Sequence, residues 1–315
     1  MAEAVLVLSE NWTLTPARDL GALVRIAVQA EEAGVGTVMI SEHVVLGPSA
    51  GAAGLMANPR DYAAPGNQDP STPWPDSVVL ASAIATATSR IRIALAAIIA
   101  PLRHPLLLAK QLATLDLLSR GRLIVQPTVS WLQEEYDALG VPFDERGRIL
   151  DEQLEAMRAA WTQAPAAFAG RYFAFHDVYV EPKPERPDGP RMWFGGQRVH
   201  PSLLRRLVRY GHGFHPFGTP TDDDLARIRA AMAEAGRDPS SLEMIGGIRG
   251  SFPDERSVAD LDRAMASIPG QLERGFTAIC FKPSMFTDDV EQVGEVCRRV
   301  VERLASLAGT ATRKP

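Results

Sequence analysis

The chain has 315 residues, of which 46% are hydrophobic, and a formal net charge of −5. This size suffices for one large core, and no run of about 20 apolar residues could span a bilayer. The acidic balance offers no basic face to a nucleic-acid backbone, and the first residues carry no charged signal-peptide region. We therefore expect one cytoplasmic domain over 1–315, with neither a membrane nor a nucleic acid as partner.

The predicted elements alternate between strand and helix along the whole chain. Strands are predicted at 4–9, 36–41, 91–99, 122–126, 192–195, 212–215, 242–249 and 277–281. Helices are predicted at 16–34, 76–88, 104–119, 131–139, 144–161, 199–210, 222–235, 258–274 and from 288 onward. The strands read as continuous apolar runs, which is typical of parallel strands covered on both faces. Eight such alternations predict an α/β fold, the (β/α)8 TIM barrel. The competing fold is a doubly wound sheet, but no GxGxxG motif follows the first strand.

Two insertions interrupt this alternation. Residues 44–75 follow the second strand and are rich in glycine, proline and alanine, with Tyr62 and Trp74 as anchors. We expect this insertion to form a lid over the carboxyl face, where barrel active sites lie, and a disordered loop is the alternative. Residues 162–190 contain an aromatic–polar alternation about Gly170, which predicts a hairpin.

Two motifs at predicted strand ends suggest chemistry. His43 ends the second strand, and a histidine there could exchange a proton near neutral pH while Glu42 fixes its tautomer. The alternative for His43 is a strand cap that bonds the neighbouring loop. Gly195 and Gly196 precede a predicted helix, so their N–H groups could bind a phosphate, although two glycines also make a plain turn.

Three segments carry a family resemblance: 30–47 (AEEAGVGTVMISEHVVLG), 89–123 (beginning SRIRIALAAIIAPLRHP) and 194–220 (FGGQRVHPSLLRRLVRYGHGFHPFGTP). Together they resemble the bacterial luciferase-like oxidoreductase superfamily over nearly the whole chain. The chain most resembles the branch of probable F420-dependent enzymes, which use a deazaflavin, while other branches use FMN.

The resemblance implies roles for particular residues. His43 matches a histidine that is catalytic in deazaflavin dehydrogenases, and Glu42 stands where the family commonly has aspartate. A non-prolyl cis peptide under the cofactor ring is implied between Ala97 and Ile98. Further cofactor contacts are implied for Gly195, Gly196, Gln197, His215, Pro216, Phe217 and Gly218. The end of the fourth strand departs from the glycine-rich pattern of many relatives, and we expect Gln126 or Thr128 there to hydrogen-bond the polar edge of the cofactor ring.

The substrate pocket is less defined. Trp12, Trp74 and Trp131 suggest an apolar or aromatic lining. Ser130 stands near the place where the sugar-phosphate dehydrogenase branch carries a carboxylate, which argues against that activity.

The expected function is hydride transfer between reduced coenzyme F420 and a small organic substrate, with His43 moving the proton. The alternative is an FMNH2-dependent monooxygenase that consumes O2, with a separate reductase supplying the flavin. A flavin-binding protein without turnover and a metal-dependent barrel hydrolase using His212 and His215 are further alternatives, although the sequence predicts no metal site. We also expect a homodimer.

Overall fold

The computed structural model describes residues 2–311 and is built around a closed barrel of parallel strands. Its strands are β1 (Glu3–Val7), β2 (Thr37–Ile40), β3 (Arg92–Ile99), β4 (Leu123–Thr128), β5 (Ala166–Ala169), β6 (Ala174–Val178), β7 (Arg191–Phe194), β8 (Gly213–Phe214), β9 (Glu243–Gly247) and β10 (Ala278–Phe281). All except β5 and β6 form the barrel, in the order β1-β10-β9-β8-β7-β4-β3-β2. Since β2 and β8 are four places apart in this ring of eight, they lie on opposite sides of the barrel. The predicted (β/α)8 barrel is confirmed.

The helices cover the outside of the barrel. They are α1 (Leu20–Glu32), α2 (Ser77–Ala87), α3 (Pro105–Leu118), α4 (Gln133–Ala138), α5 (Arg146–Thr162), α6 (Pro201–Tyr210), α7 (Asp222–Glu234), α8 (Leu261–Met265), α9 (Ile268–Glu273) and α10 (Val293–Ala311). The single helix predicted over 258–274 is wrong, because the chain breaks between α8 and α9 and Pro269 lies in the first turn of α9. Within the described residues, no helix is both long and apolar enough to cross a bilayer.

The core has two layers, which explains the continuous apolar strands. In β1, Val5 and Val7 point into the barrel, whereas Leu6 and the following Leu8 pack against the helices. Both faces of the strand are therefore buried, so its sequence need not alternate between apolar and polar residues.

The predicted hairpin is formed by β5 and β6, which pair in antiparallel fashion. Its turn is held to α5 by the Glu152 carboxylate, which accepts the backbone N–H groups of Arg171, Tyr172 and Phe173. This insertion lies outside the barrel and contributes no residue to the main cavity.

Candidate active site

One cavity of about 1230 Å³ opens at the carboxyl ends of the strands. Its wall includes residues at or just beyond the ends of five strands, at 41–43, 96–97, 127–131, 194–197 and 215–220. Barrel active sites lie at this face because strand ends and loops converge there. Most of the sequence-predicted site residues therefore line one cavity.

The non-prolyl cis peptide bond lies between Ala96 and Ala97, one residue before the predicted position. Ala96 pairs with Gln126 and Ile98 pairs with the next residue of β4, so Ala97 is the extra residue of a bulge. Ala96 and Ala97 line the cavity, whereas the side chain of Ile98 is fully buried in the layer between barrel and helices. Contrary to the prediction, the Ile98 side chain does not line the cavity, because it points outward after the bulge.

Glu42 does not orient His43, which corrects the sequence prediction. Its carboxylate accepts two hydrogen bonds from the Arg103 guanidinium, at 2.7 and 3.0 Å. It also accepts the Ser77 hydroxyl at 2.5 Å and the Ile99 N–H at 2.9 Å. These partners lie in α2, in β3 and before α3, so Glu42 joins elements of the fold and has no carboxylate oxygen bonded to the imidazole.

His43 is instead paired with Glu135, the second acidic residue of α4. The His43 Nδ1 lies 3.2 Å from Oε2 of Glu135, whose side chain is fully buried. The same carboxylate accepts the Val44 N–H at 2.7 Å and the Ser130 hydroxyl at 3.0 Å. The pair fixes one ring nitrogen of His43 and leaves Nε2 for a molecule in the cavity.

Sequence reasoning missed Glu135 because it lies 92 residues after His43. The sequence signal that could have indicated Glu135 is the acidic helix α4, which begins shortly after β4, a strand whose end lines the cavity. Ser130, at the turn between β4 and α4, has a positive φ of 57°, and its hydroxyl contacts the carboxylate. The Glu135 carboxylate thus reaches the turn at Ser130 from five residues later in the chain.

Two tryptophans flank His43. The rings of Trp74 and Trp131 meet the imidazole edge-on, with centroids 5.2 and 6.0 Å away, and both line the cavity. Trp12 stacks edge-on against Trp74 at 5.2 Å but does not line the cavity. The predicted direct substrate contact of Trp12 is therefore not seen, because Trp12 packs behind Trp74.

Thr128 lines the cavity, but Gln126 acts one layer behind it. Oε1 of Gln126 lies 2.8 Å from Nδ1 of His215, and His215 itself lines the cavity. Burial lowers the pKa of His215 to about 4, so the ring is neutral near pH 7. With Nδ1–H donated to Gln126, the Nε2 of His215 is an acceptor.

The Gly-Gly loop packs tightly against the strand beside it. A Cβ on Gly195 would lie 1.6 Å from the His215 carbonyl oxygen, so only glycine fits between β7 and β8 here. A Cβ on Gly196 would come no closer than 3.7 Å to its neighbours. The residues of these two loops that line the cavity are Gly195, Gly196, Gln197, His215, Pro216, Phe217 and Gly218.

Residues 44–75 cross the carboxyl face and form part of the cavity wall through Tyr62 and Trp74. Arg60 binds Asp288 with an Nη2–Oδ2 distance of 2.7 Å, and Asp61 binds Arg249 with 2.8 Å between the corresponding atoms. These contacts tie the insertion to the far end of the chain. Opening of this segment as a lid stays a prediction.

Lys282, which directly follows β10, was not singled out from the sequence. Its side chain is fully buried, with Nζ donating to the Asp61 carbonyl at 2.6 Å and lying 5.7 Å from the Tyr62 ring centroid. Burial lowers its pKa to about 8, although Glu10 and Asp61 act in the opposite direction. Lys282 therefore holds Tyr62 and the insertion 44–75 against the barrel.

The metal-site alternative has no geometric support in the described part of the chain. His212 accepts the Met192 N–H on the outer side of the barrel, whereas His215 lines the inner cavity. Residues three apart across a short strand point to opposite faces, so this pair cannot share an ion. Residues 2–311 contain no group of three or more His, Cys, Asp or Glu side chains suited to a metal.

The cavity residues fit a flavin-type ring with a phosphate. The small side chains of Ala96 and Ala97 leave room for a planar ring to approach β3. The N–H groups of Gly196 and Gln197 donate to no protein acceptor among residues 2–311. Such free N–H groups are the donors that a phosphate requires.

The comparison with known families decides the class of protein. A family model described as luciferase-like monooxygenase matches residues 1–283. The chain belongs to the luciferase-like monooxygenase family. One relative is an FMNH(2)-dependent monooxygenase, and one solved structure of the same fold is an F420-dependent dehydrogenase.

Two curated relatives and one solved structure are similar to the chain. An uncharacterized protein of Mycobacterium tuberculosis is 36% identical over 169 residues, which cover 53% of this chain and 57% of the relative. An FMNH(2)-dependent dimethylsulfone monooxygenase of Pseudomonas putida is 36% identical over 124 residues, covering 38% of this chain and 34% of the relative. The chain thus aligns with about half or less of these curated relatives. A solved F420-dependent secondary alcohol dehydrogenase, in complex with an F420-acetone adduct, has a TM-score of 0.70 at 16% identity. The match covers 96% of this chain and 98% of that one, and shows a shared fold.

Proposed function

We propose that the protein transfers a hydride between coenzyme F420 and a small, largely apolar organic substrate. The observation that carries the proposal is the His43–Glu135 pair, placed at the wall of a cavity with an Ala96–Ala97 bulge at its base. When bound, F420 supplies or accepts the hydride. The solved secondary alcohol dehydrogenase with an F420-acetone adduct supports the same type of chemistry.

The protein residues divide into those that hold the cofactor and those that move a proton. Ala96 and Ala97 would support the ring, and the N–H groups of Gly196 and Gln197 would bind its phosphate. The neutral His215, fixed by Gln126, offers an acceptor to a ring N–H.

His43 would act on the substrate oxygen. In carbonyl reduction, the substrate carbon gains the hydride, and protonated His43 gives its Nε2 proton to the oxygen, forming an alcohol. Glu135 keeps Nδ1 hydrogen-bonded and stabilises the positive ring before transfer. In alcohol oxidation the same atoms move in reverse. His43 is the catalytic residue of this scheme, and Glu135 is its positioning residue.

The lining around His43 favours an apolar substrate. Trp74 and Trp131 face the cavity beside the imidazole, and Tyr62 adds a third aromatic wall. Among the described residues, the carboxylates that line the cavity are those of Glu10 and Glu42, and both are already bonded to protein groups. A neutral ketone or secondary alcohol fits this surface better than a sugar phosphate would.

A second candidate is an FMNH2-dependent monooxygenase. It is favoured by the 36% identity to the dimethylsulfone monooxygenase of Pseudomonas putida. FMN shares the phosphate and the planar ring, so the same loops would hold it, and a separate reductase would supply it in reduced form. The two candidates differ in whether turnover consumes O2.

Anaerobic turnover separates the two candidates. The protein is mixed with reduced F420 and a panel of cyclic and aliphatic ketones, and oxidation of F420 is followed with and without O2. We expect oxidation that depends on the ketone and proceeds without O2, and a loss of about 10²–10⁴-fold in His43→Ala. Turnover only with FMNH2 and O2 would favour the second candidate, and unchanged activity in His43→Ala would refute the role of His43.

A further inference from the structure

A second, smaller cavity of about 270 Å³ lies at the amino ends of β7 and β8. Met192 lies in the first half of β7 and His212 directly precedes β8, and both line this space. Its other walls come from α5, α6, the segment before β7 and the turn after α7. Among the described residues, none lines both this amino-end cavity and the main cavity at the carboxyl ends. The amino-end cavity is therefore separate from the candidate active site.

The hydroxyl of Tyr210, the last residue of α6, has no partner at this cavity. It is buried and forms no hydrogen bond within the described part of the chain. Burial raises the pKa of Tyr210, so the hydroxyl keeps its proton near neutral pH and is a donor. Buried polar groups in folded proteins nearly always have a hydrogen-bond partner. A ligand in the cavity would supply the acceptor that the protein lacks.

His212 offers a second donor to the same space. Its Nδ1 accepts the Met192 N–H at 3.1 Å. Burial, followed by the charges of Arg191 and Arg186, lowers the pKa of His212 and favours the neutral ring near pH 7. A neutral ring whose Nδ1 accepts a hydrogen bond carries its proton on Nε2. This N–H donates to no acceptor in residues 2–311.

The charge of the wall is positive. Arg158 donates to no acceptor in the described range and is exposed on one side. Arg237 donates to three backbone carbonyls at the end of α6, at 2.6–2.9 Å, and has no carboxylate partner among these residues. Arg209 is paired with Glu155, and the carboxylate in the wall is that of the exposed Asp188. Two guanidinium charges without a carboxylate partner thus oppose one exposed carboxylate.

The remaining wall is apolar and fixed. Trp161 is only 2% exposed, and its indole N–H donates to the Ala109 carbonyl at 3.0 Å, so its need for a partner is already met. A Cβ on Gly189 would lie 2.4 Å from the Trp161 ring, which shows how closely the segment before β7 packs against it. Val208 adds a further apolar side chain. This part of the cavity suits the hydrocarbon portion of a ligand.

We propose that the amino-end cavity binds a small carboxylate with an apolar body, such as an aromatic acid. The two carboxylate oxygens accept several hydrogen bonds, and the Tyr210 hydroxyl, Nε2–H of His212 and the Arg158 guanidinium are the unused donors. The apolar body packs against Trp161. The proposal is independent of the proposed function, because the two cavities share no lining residue in the described range.

The test is calorimetric titration with benzoate and with benzamide, a neutral molecule of nearly the same shape. The native protein is compared with Tyr210→Phe and Arg158→Gln. The matched controls are Tyr179→Phe and Arg229→Gln, which change exposed residues outside both cavities. We expect native protein to bind benzoate with a dissociation constant of about 1 mM or below. Binding should weaken about tenfold in Tyr210→Phe and in Arg158→Gln, and about tenfold for benzamide, and stay unchanged in the controls.

A stability measurement separates this role of Tyr210 from a structural one. Because its hydroxyl bonds to no described protein group, ligand-free Tyr210→Phe should unfold at the same urea concentration as native protein or higher. A clear loss of stability in this variant would show that the hydroxyl has a partner within the protein. The proposal is refuted if native protein binds no benzoate, or if Tyr210→Phe and Arg158→Gln bind it as the controls do. Equal affinity for benzamide, or tighter binding of inorganic phosphate, would contradict a carboxylate with an apolar body.

Discussion

At the scale of single residues, the geometry of His43 depends on Glu135. The carboxylate has two oxygens and divides them between the His43 ring, the Ser130 hydroxyl and the Val44 N–H. Glu134, its neighbour, binds the Ser49 hydroxyl and N–H at 2.6 and 3.1 Å and does not touch the imidazole. Of these two neighbouring glutamates, only Glu135 contacts His43, so Glu134 is a suitable control position.

We predict that Glu135→Gln lowers kcat by about 10²-fold, because an amide of the same shape cannot stabilise a positive imidazole. Flavin affinity should stay unchanged. The pH profile of kcat should shift, because the negative charge that faces the His43 imidazole is lost. The measurements are kcat, KM and the flavin dissociation constant across pH. Glu134→Gln is the control, and equal losses in both variants would contradict the assignment.

Lys282 supplies a second residue-scale prediction, on stability. Its folded pKa of about 8 lies below the ordinary 10.5, so between these values the unfolded chain binds a proton that the folded protein has lost. The free energy of unfolding gained from this group therefore rises with pH across that window. Below about pH 8 both states are protonated, and the depressed pKa costs about 3 kcal/mol.

Replacing Lys282 with methionine removes this titration. We expect the native protein to gain about 2–3 kcal/mol of stability relative to Lys282→Met as pH rises from 8 to 10. Urea unfolding at intervals of one pH unit measures the difference, with exposed Lys110→Met as the control. A constant difference between native protein and Lys282→Met across this range would show that Lys282 does not titrate there.

At the scale of elements, the β7–β8 contact depends on the glycine at its end. The missing side chain at Gly195 lets the His215 carbonyl approach, whereas a Cβ on Gly196 would make only an ordinary contact at 3.7 Å. We predict that Gly195→Ala costs about 1–3 kcal/mol or more of stability and weakens flavin binding, because the two strands must separate. Gly196→Ala should be close to neutral in unfolding and titration experiments. Equal behaviour of the two variants would argue against this packing.

Glu42 has a similar role for β2, β3, α2 and α3. Removing its charge leaves Arg103, whose side chain is 13% exposed, without its nearest counter-charge. We predict that Glu42→Gln destabilises the fold by about 3–5 kcal/mol while kcat per folded molecule changes less than about threefold. His43→Ala should instead lower kcat strongly and leave the free energy of unfolding nearly unchanged. A Glu42→Gln protein of native stability but lost turnover would restore the catalytic role.

The order of elements could be predicted because each strand is an apolar run and each helix has its own periodicity. The geometry of single residues could not be predicted in this way. The cis peptide bond lies one residue from its predicted place because a bulge at Ala97 changes the register of β3 against β4. The partner of His43 lies 92 residues away, and nothing local to His43 indicates it.

At the scale of the whole molecule, the barrel closes a cavity with different ends. One end has His43 between two tryptophans, and the other has three arginines, of which Arg249 pairs with Asp61 and Arg274 with Asp222. Sequence reasoning found the first end from motifs. It could not find the second, because the arginines follow different elements and gain meaning only from closure of the ring.

The insertion 44–75 shows the same limit. Its composition predicts only a long connection with aromatic anchors. Its position is set by Arg60 and Asp61, which pair with Asp288 and Arg249, 228 and 188 residues away. Such long-range pairs cannot be inferred from one sequence, although they decide which side chains face the substrate.

The most direct test of the account is a binding titration with oxidised F420 and with FMN. Native protein is compared with Ala97→Phe, which fills the proposed ring position, and with Val79→Phe at an exposed site of α2. We predict saturable binding of F420, weakened at least about tenfold in Ala97→Phe alone. Binding of FMN without binding of F420 would favour the second candidate, the FMNH2-dependent monooxygenase. No binding of either, or equal binding by Ala97→Phe, would contradict a flavin-type site at the β3 bulge.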